Sequence, residues 1–362
     1  NKVGLRQRAI PPRPKGRGIS RNILMSEKNA RDQLTLFGFF GENKDVSYLP
    51  KQLIHSNTIS IYDALPKYNW SGRQPKESKV TKKCVLDDFE YEMTIKPAHI
   101  ERVDPKTKEK KIVPVYPGVR EEAVEDVLRF LAANGQGEMF GREMGVHFTV
   151  NEVVKELENI NRSFAHLDVV EALMVCNNAN LQVNVNGKII VNSAIFPNVT
   201  LVNRENYKIA PSTRCFVRFH PMVTASVINL EYRMFNYRQA MNMKNPLARH
   251  IFKRMSHYWR QASQSHTYNF NLMRYLSQTP RNISPRMHRN VDAMNKALDE
   301  LVKNEILESY EAEEVLKGKR IQDIKYVCRP HASFITDVKK ANYVANRRSL
   351  YDALPELPGH LR

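Results

Sequence analysis

Residues 120–191 carry the pattern that most limits the fold: three successive stretches of helical period followed by an alternating hairpin. Val124, Val127, Leu128 and Leu131 recur at three- and four-residue spacing, and the helix they predict ends near Asn134-Gly135. Thr149 is placed to cap a second helix through Val153, Val154 and Leu157. Ser163 is placed to cap a third through Leu167, Val170, Leu173 and Met174. Leu181–Val185 then alternates in polarity, Asn186-Gly187 supplies a two-residue turn, and Lys188–Val191 returns.

A strand at Cys215–Phe219 leads past Pro221 into a helical stretch over 223–237, which closes this unit, and a comparable order then begins again. Helices are predicted at Pro246–Gln261, around Phe270–Ser277 and at Ser284–Asn304. Strands follow at Ile306–Tyr310 and Asp323–Val327, bridged by the basic loop Lys317-Gly318-Lys319-Arg320. Three helices and a hairpin, twice over, predict an α+β chain of two tandem winged-helix domains. The 362 residues suffice for two such cores plus extensions. The first domain spans 120–240 and the second 241–341. A basic arm (1–53) and a small β-rich region (54–119, with strands at Val80–Val85, Glu90–Ile95 and Lys111–Val115) precede them, and 342–362 form a tail.

Charge separates the units more sharply than pattern does. The formal net charge of +18 implies a polyanionic partner, because Lys and Arg displace the counterions condensed on nucleic acid. Residues 203–303 hold 17 basic and 5 acidic side chains, whereas 120–202 hold 6 basic and 11 acidic. A second basic concentration lies in residues 1–33, with 9 basic and 2 acidic side chains around Pro11-Pro12-Arg13-Pro14-Lys15-Gly16-Arg17-Gly18. That composition suits an extended arm.

The third predicted helix of the second unit is the candidate reader of DNA. Met287, Val291, Met294, Leu298 and Leu301 form its apolar stripe, which leaves Arg286, Arg289, Asn290 and Lys296 on other faces. Arg pairs bidentately with guanine and Asn with adenine in the major groove, so Arg289 and Asn290 are the expected base readers. Arg281, Arg286 and Lys296 are expected on phosphates. Lys244, Arg249, Lys253 and Arg254 on the preceding helix are expected to face outward and add backbone contacts, and Lys319 and Arg320 to do so from the wing. The corresponding helix of the first unit mixes Asp168 and Glu171 with Arg162 and His166, which predicts protein contact and weaker DNA contact.

Signatures of catalysis are missing from the sequence. It has no GxxxxGK[ST] nucleotide loop and no HExxH, and Phe219-His220-Pro221 supplies one histidine where a rolling-circle nickase needs a pair. Cys84, Cys176, Cys215 and Cys328 lie far apart without zinc spacing, and no apolar run reaches the roughly 20 residues that span a bilayer. The expectation is a cytoplasmic, non-enzymatic DNA-binding protein without cofactor or metal. A transcriptional repressor, a metal-dependent DNA-nicking or DNA-joining enzyme and an RNA-binding protein are the alternatives.

Three segments carry a family likeness: Asn57-Thr58-Ile59-Ser60-Ile61-Tyr62-Asp63-Ala64-Leu65-Pro66, Phe216-Val217-Arg218-Phe219-His220-Pro221, and Lys244-Asn245-Pro246-Leu247-Ala248-Arg249-His250-Ile251-Phe252. In these the chain resembles RepA-type plasmid replication initiators. The resemblance implies binding to repeated double-stranded origin sites, help in opening an adjacent AT-rich region, and recruitment of a host initiator and the replicative helicase. It also implies self-association as a homodimer through the first domain. Two features have no counterpart in that likeness: the basic arm, and the return of Ile61-Tyr62-Asp63-Ala64-Leu65-Pro66 near the C-terminus as Leu350-Tyr351-Asp352-Ala353-Leu354-Pro355.

Overall fold

A computed structural model describes residues 54–71, 74–104, 107–201, 213–318 and 320–353. The arm (1–53) and the last nine residues lie outside the described residues. The chain opens with β1 (His55–Ile59) and α1 (Ser60–Ala64), followed by β2 (Val80–Leu86), β3 (Phe89–Lys96), β4 (Ala98–Val103) and β5 (Lys110–Val115). Next come α2 (Val119–Leu131), a π-helical turn (Ala132–Gln136), β6 (Gly137–Phe140), β7 (Glu143–Thr149), α3 (Val150–Asn159) and α4 (His166–Asn178). β8 (Asn180–Val185), β9 (Lys188–Ala194), β10 (Asn198–Leu201), β11 (Arg214–Arg218), α5 (Pro221–Ile228), β12 (Tyr232–Asn236) and α6 (Tyr237–Asn242) complete the first unit. The second holds α7 (Pro246–Tyr258), β13 (Tyr268–Asn271), α8 (Leu272–Ser277), α9 (Met287–Lys303), β14 (Leu307–Lys317) and β15 (Arg320–Pro330), and α10 (Ala332–Ala353) follows.

The two units share a topology. In each, a helix (α2 or α7) leads to a strand (β7 or β13), two helices (α3–α4 or α8–α9) and two further strands. The last strand lies between the other two, giving the orders β10-β11-β7-β6 and β13-β15-β14. Gly145 permits the close pairing of β7 with β11, since a Cβ there would lie 2.5 Å from the Phe216 ring.

Two features of the first unit depart from the sequence reading. Asn186-Gly187 does turn a hairpin, both residues taking positive φ (48° and 79°). This hairpin, however, lies between α4 and β10 and joins the sheet β2-β3-β8-β9. Its apolar partners explain why: Leu181, Val183 and Val185 stand opposite Ile95, Met93 and Tyr91 of β3. The strands that pair directly and indirectly with β7 are instead β11 and β10, and the residues joining them, 202–212, lie outside the described residues. The β-rich region is likewise built into the first unit, because β1 pairs with β12 and β3 with β8.

Local chemistry sets several boundaries. Thr149 and Glu152 form a capping box, Glu152 N donating to Thr149 Oγ1 (3.2 Å) and Thr149 N to Glu152 Oε2 (2.6 Å). Ser163 does not cap α4: the N-cap is Ala165, whose N–H is held by Asp168 of the first turn (3.0 Å), so α4 starts at His166. The helical stretch expected over 223–237 is broken by β12, whose pairing with β1 removes Tyr232–Asn236 from the helix. One apolar cluster runs through both units, from Tyr62, Val127 and Phe196 to Phe252, Leu298 and Tyr326.

Candidate nucleic-acid interface

α9 stands where the sequence placed its reader, but the way it starts differs. Its N-cap is Arg286, not Ser284. The turn before it is organised by Asn290, whose Oδ1 accepts from Ser284 N (2.8 Å) and whose Nδ2 donates to Ser284 O (2.9 Å). Asn290 is 1% exposed, so it cannot read a base edge as expected; its amide satisfies two backbone groups the turn would otherwise leave unpaired. Met294, Ala297, Leu298 and Leu301 face the core, and Tyr326 of the hairpin donates to Asn295 Oδ1 (2.8 Å), fixing the middle of the helix.

Arg286, Arg289 and Lys296 are exposed on α9, as is Lys244 before α7. No carboxylate of the described residues lies within ion-pairing distance of these four. Their charges are available to phosphates or bases. Arg281, in the turn before α9, is partly buried and its Nε has no hydrogen-bond partner.

The expectation that α7 presents Arg249, Lys253 and Arg254 outward is corrected by their burial. Arg249 is 3% exposed, its Nη1 donating to Met243 O (2.8 Å). Lys253 ties α7 to α2 through Asp126 (2.5 and 2.6 Å). Arg254 lies over the rings of Tyr275 (5.0 Å) and Tyr258 (5.5 Å), with Nε and Nη1 buried. Pattern alone misassigned them because long cationic stems pack like apolar side chains when their heads find partners. Lys319 and the side chain of Arg320 lie outside the described residues.

The sequence reading missed a brace between the units. Lys82 of β2 donates from Nζ to Pro280 O (2.6 Å), and Gln278 Nε2 donates to Val85 O (2.5 Å). Burial lowers the Lys82 pKa to about 8. These contacts hold the turn that feeds α9, and a separation of 198 residues gives them no local sequence signal.

α4 occupies the matching position in the first unit with opposite chemistry. It contains no Lys or Arg. Its Glu171 is taken by Arg102 (2.6 Å) and Arg120 (2.8 Å), which together hold the carboxyl below its ordinary pKa although burial acts to raise it. The β4–β5 hairpin covers one side of α4, with Ala98 and Val115 packed against Val175 and Ala179.

The three segments carrying the family likeness meet at a buried junction. The rings of Tyr62 and His220 lie against each other at a tilt (5.1 Å between centroids), His250 lines one cavity with Asp63 and Ala64, and, further along the helix of His250, His257 Nδ1 lies 3.0 Å from Thr58 Oγ1 and Tyr258 donates to Ser60 O (3.2 Å). Asp63 accepts from Arg129 Nη1 (2.5 Å), Arg129 Nη2 (2.9 Å) and Ile59 N (2.7 Å). Burial would raise its pKa, but Arg129 and Lys67 hold it far below the usual carboxylate range. Burial keeps His220 and His250 neutral down to about 3 and His257 down to about 4.

All four cysteines are buried free thiols. Among the described residues no group of three or more His, Cys, Asp and Glu could hold a metal ion. Nor is any helix among them long and apolar enough to cross a membrane.

No family model matches the chain, and no curated protein matches its sequence. Solved structures with a similar backbone include domains 2 and 3 of RctB in selenomethionyl form, with 8% identity over 75% of this chain and 98% of that one and a TM-score of 0.45. A second structure of RctB domains 2–3 gives 8% identity, 78% and 99% coverage and a TM-score of 0.41. The Pi initiator protein in complex with iteron DNA gives 12% identity, 59% and 91% coverage and a TM-score of 0.40.

Proposed function

We propose that the chain is a replication initiator that binds repeated sites in double-stranded DNA without enzymatic activity, and that its two topologically matched units are winged helices. The supporting observation is the set of cations on and beside α9 that lack carboxylate partners among the described residues, set against α4, whose carboxylates are paired and one side of which is covered. In this reading α9 enters the major groove with its N-terminal turn towards the bases, and Arg289 pairs with a guanine edge. Arg281, Arg286, Lys296 and Lys244 hold phosphates and so fix register without reading sequence. The β14–β15 hairpin is the wing. The first unit works through protein contact, including homodimerisation and self-repression. Origin opening and recruitment of a host initiator and helicase in a bacterial cytoplasm complete the proposal, on the strength of the RepA-type resemblance.

An electrophoretic shift of duplexes flanking the chain's own gene, at two salt concentrations, tests it. The expected result is a ladder of specific complexes that weakens with salt, each phosphate contact adding about −0.9 to the log–log slope. Arg289→Ala should lose discrimination against unrelated duplex. Equal affinity for unrelated DNA in both proteins would refute the assignment of α9.

A further inference from the structure

The repeated segment near the C-terminus is not used by the reading surface proposed above, yet its first copy is deeply buried. With flanking residues included, Ser60-Ile61-Tyr62-Asp63-Ala64-Leu65-Pro66 and Ser349-Leu350-Tyr351-Asp352-Ala353-Leu354-Pro355 are identical at every position except one Ile-to-Leu exchange. The two copies also share a backbone conformation, since Ser60–Ala64 is α1 and Ser349–Ala353 lies within α10.

The first copy is largely buried, and its tyrosine and aspartate have defined partners. Tyr62 and Leu65 are each 1% exposed and Ala64 is 3% exposed. The Tyr62 ring lies at a tilt against His220, and Asp63 joins its own Ile59 N to Arg129 of α2. The groove between α2, α5 and α7 therefore accommodates tyrosine, aspartate, alanine and leucine in that order, and the second copy supplies the same order.

We infer that Ser349–Pro355 of one molecule can occupy this groove in a second copy of the chain, displacing α1 and linking the two molecules by segment exchange. Exchange in trans follows from the course of α10. Its Asn342 donates to Arg260 O (2.8 Å), close to the Tyr258–Ser60 contact. The helix then continues to Ala353, about 16 Å further on at the usual rise per residue. α10 is held along β12 through Asn236–Asp337 and Arg233–Asn342, so within one molecule its end keeps a fixed course, whereas a second molecule is free to bring its groove to that end.

One position sets the balance between the copies. Lys67 follows the first copy, donating to Tyr62 O (3.1 Å) and lying 3.5 Å from Asp63 and 3.8 Å from Glu125. Glu356 follows the second. It would bring a like charge towards Glu125 and give up the contact with the tyrosine carbonyl, so the tail is the weaker occupant and exchange depends on concentration.

Sedimentation equilibrium of the full chain tests this with variants in the tail alone. The wild type should show reversible dimerisation. Glu356→Lys should tighten it tenfold or more, and Tyr351→Ala combined with Asp352→Ala should weaken it tenfold or more. Equal association in the three proteins, including none in any of them, would overturn the proposal, because a dimer formed through another surface would ignore these changes.

Discussion

α4 and α9 hold the same place in two units of the same topology, and almost nothing else about them agrees. α9 begins beside Arg286 and Arg289, whose charges lack carboxylate partners among the described residues, and its inner face is tied to the core by Met294, Leu298 and Leu301. α4 carries carboxylates already held by Arg102 and Arg120, and a hairpin packs on its side. Topological position makes a helix available for recognition, whereas surface charge and cover decide whether it can approach a polyanion. The difference agrees with the division of charge along the sequence, where the region containing α9 is strongly basic and that containing α4 is acidic.

The largest expected effect acts on both helices at once, through the junction between their units. His220, His250 and His257 stay neutral down to about pH 3–4 when folded but titrate near 6.5 when unfolded. The unfolded chain therefore binds more protons between these limits, and stability present above pH 6.5 is lost as pH falls. With three such groups the slope reaches about 4 kcal/mol per pH unit. Denaturant unfolding at pH 7, 6 and 5 measures it; a flat profile would show that the histidines are not buried neutral.

Next in size is Asn290→Ala, expected to cost about 2–3 kcal/mol because it strands two backbone groups of Ser284. If the variant melted like wild type but relaxed DNA specificity, Asn290 would be a reader after all and the account of how α9 starts would fail. Lys296→Ala should have a smaller effect, weakening binding evenly across sequences and flattening the salt slope by about 1. A sequence-dependent loss would move Lys296 from phosphate to base. The smallest effect belongs to α4: Asp168→Ala with Glu171→Ala should leave DNA affinity within about 0.5 kcal/mol, as expected of surface changes away from a site. A gain well beyond that would mean the carboxylates repel DNA that lies against α4, and the contrast between the helices would collapse.

Much of this architecture was legible in local pattern. The apolar stripe of α9, the Thr149 cap and the Asn186-Gly187 turn follow from spacing and turn chemistry, and each appears in the structure. Pattern could not supply partners. Nothing local says that β8 pairs with β3 across roughly ninety residues, or that β1 pairs with β12, so the hairpin was placed in the wrong sheet and the β-rich region was detached from its unit. The same limit governs the site. Arg249, Lys253 and Arg254 look like an exposed basic face until Met243 O, Asp126 and the Tyr258 and Tyr275 rings are brought to them. The family-like segments were equally opaque in isolation, since what they share is a place in the junction around Asp63, away from the proposed reading surface.

Selection of binding sites from a random duplex library, run in parallel with the wild type and Arg289→Ala, tests most directly whether α9 reads DNA. The wild type should enrich a defined motif containing a guanine, and Arg289→Ala should enrich the same motif with that position relaxed. An identical motif from both proteins, or no motif from the wild type, would contradict it.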